Sequence, residues 1–371
     1  MNAPPPVPIP FVDLHAQYLT IREAIDEAIQ TVIRESAFVR GRHVEQFEAN
    51  WRDLLGVRHC VSCANGTDAL YIAMRGLGLP PGGEVITTAH SWISTSETIT
   101  QAGGRVVFCD TDDHFLIDPS RIEALVTPRT VGIIPVHLYG QAADMDAILA
   151  IAAKYRLWVL EDCAQAHLAR YRGRQVGTFG QAATFSFYPG KNLGAYGDAG
   201  CIVTSDDRLA EWMSLFARHG GKGDHVMEGI NSRMDGLQAA ILNVKLRHLP
   251  RWNQQRQTAA ARYDALLGDL DGVARPTVAP DRDHVYHLYV IRTDRRDELR
   301  AHLQSRRVAT VINYPKALPF YPAYAYLKHQ TIDFPVAHAN QSRILSLPLY
   351  PELTDDQAAT VAGAIRAFLT S

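Results

Sequence analysis

A chain of 371 residues, 47% hydrophobic and 20% charged, can bury a large core and still have room for a second, smaller domain. Its formal charge of -2 gives no reason to expect binding to nucleic acid or an anionic membrane, so any anion must be held by a local site. No run approaches the roughly 18 apolar residues of a membrane span, and the proline-rich leader "MNAPPPVPIPFVDL" lacks the regions of a signal peptide; a soluble cytoplasmic protein is expected.

Between about residues 59 and 204, short β-branched runs alternate with helical patterns. The strand-like runs are "CVSC", "EVITT", "RVVFC", "VGIIPVH", "LWVLED", "AATFSF" and "GCIVTS". Stretches such as "TDALYIAMRGLGL" and "DMDAILAIAAKYR" place apolar residues at helical spacing between them. A repeated βα unit predicts a mostly parallel sheet with helices on both faces, a three-layer αβα architecture. Cys60 and Cys63 form a CxxC, but no second CxxC exists and the pair lies in an apolar strand pattern, so all five cysteines are expected to be reduced.

From about residue 229 to residue 267 a loop leads into long helical periodicity interrupted at Pro250, which reads as a connecting element. Beyond it, "HLYVIRT", "RDELRAHLQSR", the irregular "INYPKALPFYPAYAYL" and a helix after "LTDDQAA" predict a smaller C-terminal α/β domain. The expected organisation is an arm over 1–20, a large domain over 21–250 and a small domain over 251–371. His284 and His287 in "DHVYHLYV" have helix-like spacing but fall on a strand entry, which argues against a metal site.

Open parallel sheets bind ligands beyond the carboxyl ends of their strands. Four segments fall there: "ANGTD", "HSW", "EDCAQAH" and the glycine-rich "SFYPGKNLGAYGDAG". Asp162, at the end of an apolar strand, needs a donor or a cation facing it; a structural salt bridge is the plain alternative. Lys191 is the only cation in its glycine-rich stretch, "NGTDAL" suits a phosphate at a helix N-terminus, and Trp92 offers an aromatic plate. Lysine, buried acid, phosphate cradle and plate together match what pyridoxal phosphate requires.

On "NGTDAL", "EDCAQAH", "FSFYPGKNLGAYGDAG" and "GINSRMDGLQAAIL" the chain resembles, over nearly its whole length, the DegT/DnrJ/EryC1/StrS sugar aminotransferases of the fold type I aspartate-aminotransferase superfamily. The resemblance implies that Lys191 is the Schiff-base lysine and Asp162 the partner of the pyridine nitrogen. Gln165 would bond the ring hydroxyl, Trp92 would stack on the ring, and Gly66, Thr67 and Ser186 would bind the phosphate. Asn231 would reach the cofactor of a neighbouring subunit, which implies a homodimer with shared sites. The implied donor is L-glutamate, giving 2-oxoglutarate, and the acceptor a nucleotide-linked 3-keto-deoxyhexose.

Substrate-side candidates are His167, Tyr188, Arg233 and Tyr314, with Arg218 and Lys222 as further cations for a diphosphate. His167 and Tyr314 also fit purely structural roles. The chain departs from the family pattern at Leu168 and Gly236, which are read as marks of a different substrate pocket. Amination at C4, amination of a keto-inositol, a sugar dehydratase and a non-catalytic regulatory protein stay open as alternatives; Lys191 opposes the dehydratase, whose relatives carry histidine at that position.

Overall fold

The computed structural model describes residues 8–370, so the leader up to residue 7 lies outside the described residues. Each of the seven strand-like runs forms a strand: β1 (His59–Cys63), β2 (Glu84–Thr88), β3 (Arg105–Cys109), β4 (Thr130–Ile134), β5 (Trp158–Asp162), β6 (Ala182–Ser186) and β7 (Gly200–Thr204). They make one sheet in the order β1-β7-β6-β5-β4-β2-β3. β7 runs antiparallel to both its neighbours, whereas β6, β5, β4, β2 and β3 pair in parallel.

All five residues of β2 and of β7 are buried, as a sheet covered on both faces demands. One covering layer comes from α1 (Arg42–Leu55), whose Val44, Phe47 and Trp51 repeat at helical spacing and enter the core. The other comes from α2 (Gly66–Gly76) and α3 (Ser94–Gln101), whose Leu70, Ala73 and Ile99 pack on the opposite face. Trp51 is fully buried and meets Phe185 and Phe187 edge-on, with ring centroids at 5.1 and 5.7 Å. Trp51→Ala is expected to lower the stability of the protein by about 3–5 kcal/mol, read from the denaturant midpoint. A shift equivalent to less than about 1 kcal/mol would show that these rings do not anchor the end of β6.

After α4 (Met145–Tyr155) and the strands that follow it, α5 (Gly236–Leu246) is succeeded by α6 (Leu249–Leu267). The interruption expected at Pro250 is the break between α5 and α6, and the proline sits in the first turn of α6, where its missing N–H leaves no bond unmade. α6 begins in the core under the large sheet at Leu249 and ends in a separate core at Ala259, Tyr263 and Leu267. That second core also holds β8 (Tyr289–Arg292), α7 (Arg296–Ser305), β9 (Ile344–Leu347) and α8 (Asp355–Leu369), with β8 and β9 antiparallel. We propose that the two units divide where α5 gives way to α6, near residue 250.

The five cysteines are free and buried, Cys60 and Cys63 on β1 among them. No helix of the described residues is long and apolar enough to cross a membrane.

Candidate active site

β5 ends in two acids that point to opposite faces, as successive strand residues must. Glu161 turns into one layer, where its carboxylate accepts the amides of Gly177 at 2.8 Å, Phe179 at 2.7 Å and Gly180 at 2.9 Å. His137 Nδ1 accepts the amide of Ala143 at 3.0 Å, so its proton sits on Nε2 and is donated to Glu161 at 3.0 Å. With Cys163 these side chains are close enough to suggest a metal site, yet the ligating atoms of both His137 and Glu161 are already occupied by hydrogen bonds. The same segment fixes the next residue: Asp162 donates its amide to Pro135 O at 2.9 Å, and its carbonyl accepts from the His137 amide at 3.0 Å.

Asp162 faces a cavity of about 600 Å³ at the carboxyl ends of the strands. Its carboxylate accepts from Thr95 Oγ1 at 2.9 Å and from the Ala164 amide at 3.1 Å. Both partners are neutral, so the hydrogen bonds do not make a structural salt bridge. Burial pushes the Asp162 carboxyl above the usual carboxylate range, opposed by those two donors and by the charge of Lys191.

Lys191 lines the same cavity on a turn that the chain closes tightly. Its amide donates to Tyr188 O at 2.9 Å, while Phe187 accepts from the amide of Ala195 at 2.7 Å and donates to Ala199 O at 2.8 Å. Gly194 is required here, because a Cβ on it would lie 2.2 Å from Pro189 O. Burial lowers the Lys191 amine to about 8, with Asp162 pulling the other way. The amine therefore gains its lone pair well below the pH an exposed lysine needs.

The N-terminus of α2 closes one end of the cavity. Asn65 caps it by accepting the Asp68 amide at 2.8 Å, and the preceding amides, on Gly66 and Thr67, have no partner within the helix. Gly66 and Gly200 let helix and sheet approach: a Cβ on Gly66 would meet Ser186 Cβ at 2.6 Å, and one on Gly200 would meet Asn65 O at 2.4 Å. Gly66, Thr67 and Ser186 all line the cavity, giving amides and hydroxyls around a helix N-terminus.

Trp92, 55% exposed, and Tyr314 form the aromatic part of the wall, with ring centroids 5.5 Å apart. Gln165 is oriented by its surroundings: Oε1 accepts the Tyr139 amide at 2.7 Å, so the NH₂ group must turn inward, where one N–H is donated to Tyr314 Oη at 2.9 Å. The second N–H of Gln165 and the Tyr314 hydroxyl proton remain for a bound molecule.

The cavity thus brings together Gly66, Thr67, Trp92, Asp162, Gln165, Ser186, Tyr188, Lys191 and Tyr314. It does not include His167, Asn231 or Arg233. His167 is fully buried behind the lysine turn among Trp51, Phe185 and Phe187, with burial lowering its ring to about 3. Asn231 and Arg233 are exposed; the backbone of Asn231 bridges to Arg218. The two departures from the family pattern also lie outside the cavity. Gly236 admits a neighbouring segment, since its Cβ would fall 1.9 Å from Ala37 O, and Leu168 packs against the large core in a left-handed backbone conformation (φ 66°). Arg256, His287, Thr95, Phe11 and Val12 line the cavity without having been signalled in the sequence as site residues. Only Thr95 had a local clue, lying three residues beyond Trp92 at the start of α3.

The residues fit pyridoxal phosphate on structural grounds. A buried carboxylate with only neutral hydrogen-bond partners invites a cationic ring N–H, and a cradle too tight for a Cβ at Gly66 is lined by amides. Gly66→Ala is expected to weaken cofactor binding at least about tenfold, equivalent to about 1.4 kcal/mol, in a fluorescence titration of the cofactor-free protein. Unchanged affinity would mean the phosphate is held elsewhere.

The model of the DegT/DnrJ/EryC1/StrS aminotransferase family matches residues 19–366. A Geobacillus stearothermophilus protein named pleiotropic regulatory protein is 45% identical over 97% of this chain and 98% of its own. The dTDP-3-amino-3,4,6-trideoxy-alpha-D-glucose transaminase of Streptomyces venezuelae is 43% identical over 96% of this chain and 95% of its own. Among solved structures, that of S. venezuelae DesV in complex with a ketimine intermediate superposes with a TM-score of 0.96 at 42% identity, covering 99% of this chain and 100% of DesV.

Proposed function

The chain belongs to the DegT/DnrJ/EryC1/StrS aminotransferase family, and from that premise we propose that it moves an amino group from L-glutamate to C3 of a nucleotide-linked keto-deoxyhexose, with pyridoxal 5'-phosphate as its cofactor. The observation that carries the reading is the pairing of Lys191 and buried Asp162 across one cavity at the strand ends.

Pyridoxal phosphate, when bound, supplies an aldehyde that an amine can capture and a ring that takes up the electrons released at Cα. Lys191 Nζ, with its amine lowered to about 8, is the group that holds the aldehyde at rest. Lys191 Nζ, when free, would take the proton released at the donor's Cα and, with the sugar in place, would supply one to C3. Asp162 holds a proton on the ring nitrogen, and its buried position strengthens that interaction by excluding water. Gly66, Thr67 and Ser186 bind the phosphate, Trp92 supplies the flat apolar face, and the free N–H of Gln165 donates to the ring hydroxyl. Tyr188 and Tyr314 face the sugar. We further propose a homodimer in the cytoplasm, with Asn231 completing the neighbour's site.

Support for C3 comes from the Streptomyces venezuelae relative, whose name specifies a 3-amino sugar. The regulatory name of the Geobacillus stearothermophilus relative keeps a non-catalytic role as the competing class, and the cavity residues oppose it. The test is to load the protein with pyridoxamine phosphate and offer nucleotide-linked 3-keto and 4-keto sugars and a keto-inositol. Recovery of the absorbance of the lysine-bound cofactor with the 3-keto sugar is expected. Recovery only with another acceptor overturns C3, and recovery with none overturns the enzyme.

The pH dependence has a definite sign. At pH 7 about one Lys191 in ten is the free amine, and above about pH 8 most are. The rate at which cofactor-free protein captures pyridoxal phosphate should therefore rise through about pH 8 and level off. A rise continuing towards pH 10.5, as for an exposed lysine, would contradict the buried setting.

A further inference from the structure

The wall of the cavity opposite in sequence to the cofactor motifs carries a cation and a base that the reaction as described does not use. Arg256, on α6, is 3% exposed and lines the cavity. Its Nη1 donates to the carbonyls of Tyr286 at 3.3 Å, His287 at 3.4 Å and Leu349 at 2.9 Å, and its Nε has no partner. Every partner is a neutral carbonyl. Glu352 is the acid whose charge acts on it, but none of the Arg256 hydrogen bonds among the described residues goes to a carboxylate. A buried guanidinium held only by carbonyls is a charge waiting for an anion.

His287 stands beside it in the wall, and a chain of amides fixes its tautomer. Asn253 Nδ2 donates to His167 O at 2.8 Å, so Asn253 Oδ1 is the acceptor for Asn192 Nδ2 at 2.9 Å. Asn192 Nδ2 also donates to Val285 O at 3.0 Å, which leaves Asn192 Oδ1 to accept from His287 Nδ1 at 3.3 Å. The proton of His287 is therefore on Nδ1, and Nε2 is a bare lone pair. Burial and the neighbouring charges of Lys191 and Arg256 hold the ring neutral.

We propose that Arg256 and His287 form the recognition point for the amino donor, with the guanidinium taking a carboxylate and His287 Nε2 accepting an N–H of the donor's amino group. A carboxylate supplies the missing counter-charge, and its pairing with guanidinium is the stronger, charge-assisted kind of hydrogen bond. A sugar hydroxyl would leave the guanidinium uncompensated. The phosphate does not compete for this point, because its cradle is built from α2 and the end of β6. The assignment rests on the amino-transfer reading, since it names the donor's place in that reaction.

The test uses the cofactor-loaded enzyme and two unreactive probes, glutarate and its neutral analogue glutaramide, titrated by calorimetry. Wild type should bind glutarate at least about tenfold more tightly than glutaramide, and Arg256→Met should weaken glutarate by at least about tenfold. In steady state, Arg256→Met and His287→Phe should raise the KM for glutamate, with the KM for the keto sugar moving by less than about threefold. Should Arg256→Met fail to fold, Arg256→Lys, which keeps a cation but loses the planar fork, should weaken glutarate less severely, and the wild-type comparison of the two probes still decides. Equal binding of the two probes, undiminished glutarate affinity in the Arg256 variants, or an unchanged KM for glutamate in His287→Phe overturns the assignment. Failure of the amino-transfer reading looks different: wild type would then pass no amino group from glutamate to any acceptor, whatever its affinity for glutarate.

Discussion

Lys191→Ala is expected to lower the rate of amino transfer by at least about 10⁴-fold, measured as single turnover of the loaded enzyme with L-glutamate. On the proposed reading one amine performs two tasks, holding the aldehyde at rest and moving the proton at the reacting carbon, and both depend on its setting. Burial brings its pKa to about 8, and the turn closed by the Phe187, Ala195 and Ala199 backbone holds it where Asp162 also looks into the cavity. Among the described residues no second lysine lines that cavity to take over. Lys191→Arg should not restore activity, because a guanidinium cannot give up its proton at any working pH. A variant that keeps more than about 1% of wild-type turnover would show that another group moves the proton.

Asp162→Asn should lower turnover by about 10³-fold while leaving the fold intact. The amide matches the carboxylate in shape but carries no charge to hold a proton on the ring nitrogen. The same substitution makes an opposite prediction for the cofactor-free protein. There Asp162 is a buried carboxylate, 4% exposed, whose ionised form is resisted by burial, so removing the charge should leave the denaturant midpoint unchanged or raise it. A large loss of stability together with the loss of turnover would make Asp162 a structural residue and remove it from the chemistry.

The parts of this protein that were legible in sequence are those whose causes are local. β-branched runs between helical stretches identified all seven strands of the large sheet, because a strand buried on both faces has to be apolar throughout. The candidate residues at the ends of those strands, from Gly66 to Lys191 and with the exception of His167, meet in one cavity because parallel strands deliver their carboxyl ends to the same edge. The interruption at Pro250 was legible too: one helix ends at Leu246 and the next begins at Leu249, with proline in its first turn, where the missing N–H costs nothing.

Other features were set by distant contacts. Arg256 and His287 come from the C-terminal half, and nothing in "WNQQRQT" or "DHVYHLYV" says that α6 and the approach to β8 border a cavity made by the large sheet. Gly236 looked like a change of substrate pocket, but its cause is the Ala37 carbonyl, which would lie 1.9 Å from a Cβ there. His167 closes the motif that bears Asp162 and Gln165, yet the turn after β5 sends it into the aromatic core instead of the cavity.

The central claim is that Lys191 holds a pyridoxal phosphate cofactor whose ring nitrogen meets Asp162. The most direct measurement is to load the protein with pyridoxal phosphate, reduce it with borohydride, digest it and locate the modified peptide by mass spectrometry. The expected result is one pyridoxyl group per chain, attached to Lys191 in the "YPGKNLG" segment. Attachment at another lysine, or no attachment to a folded protein, would contradict the account.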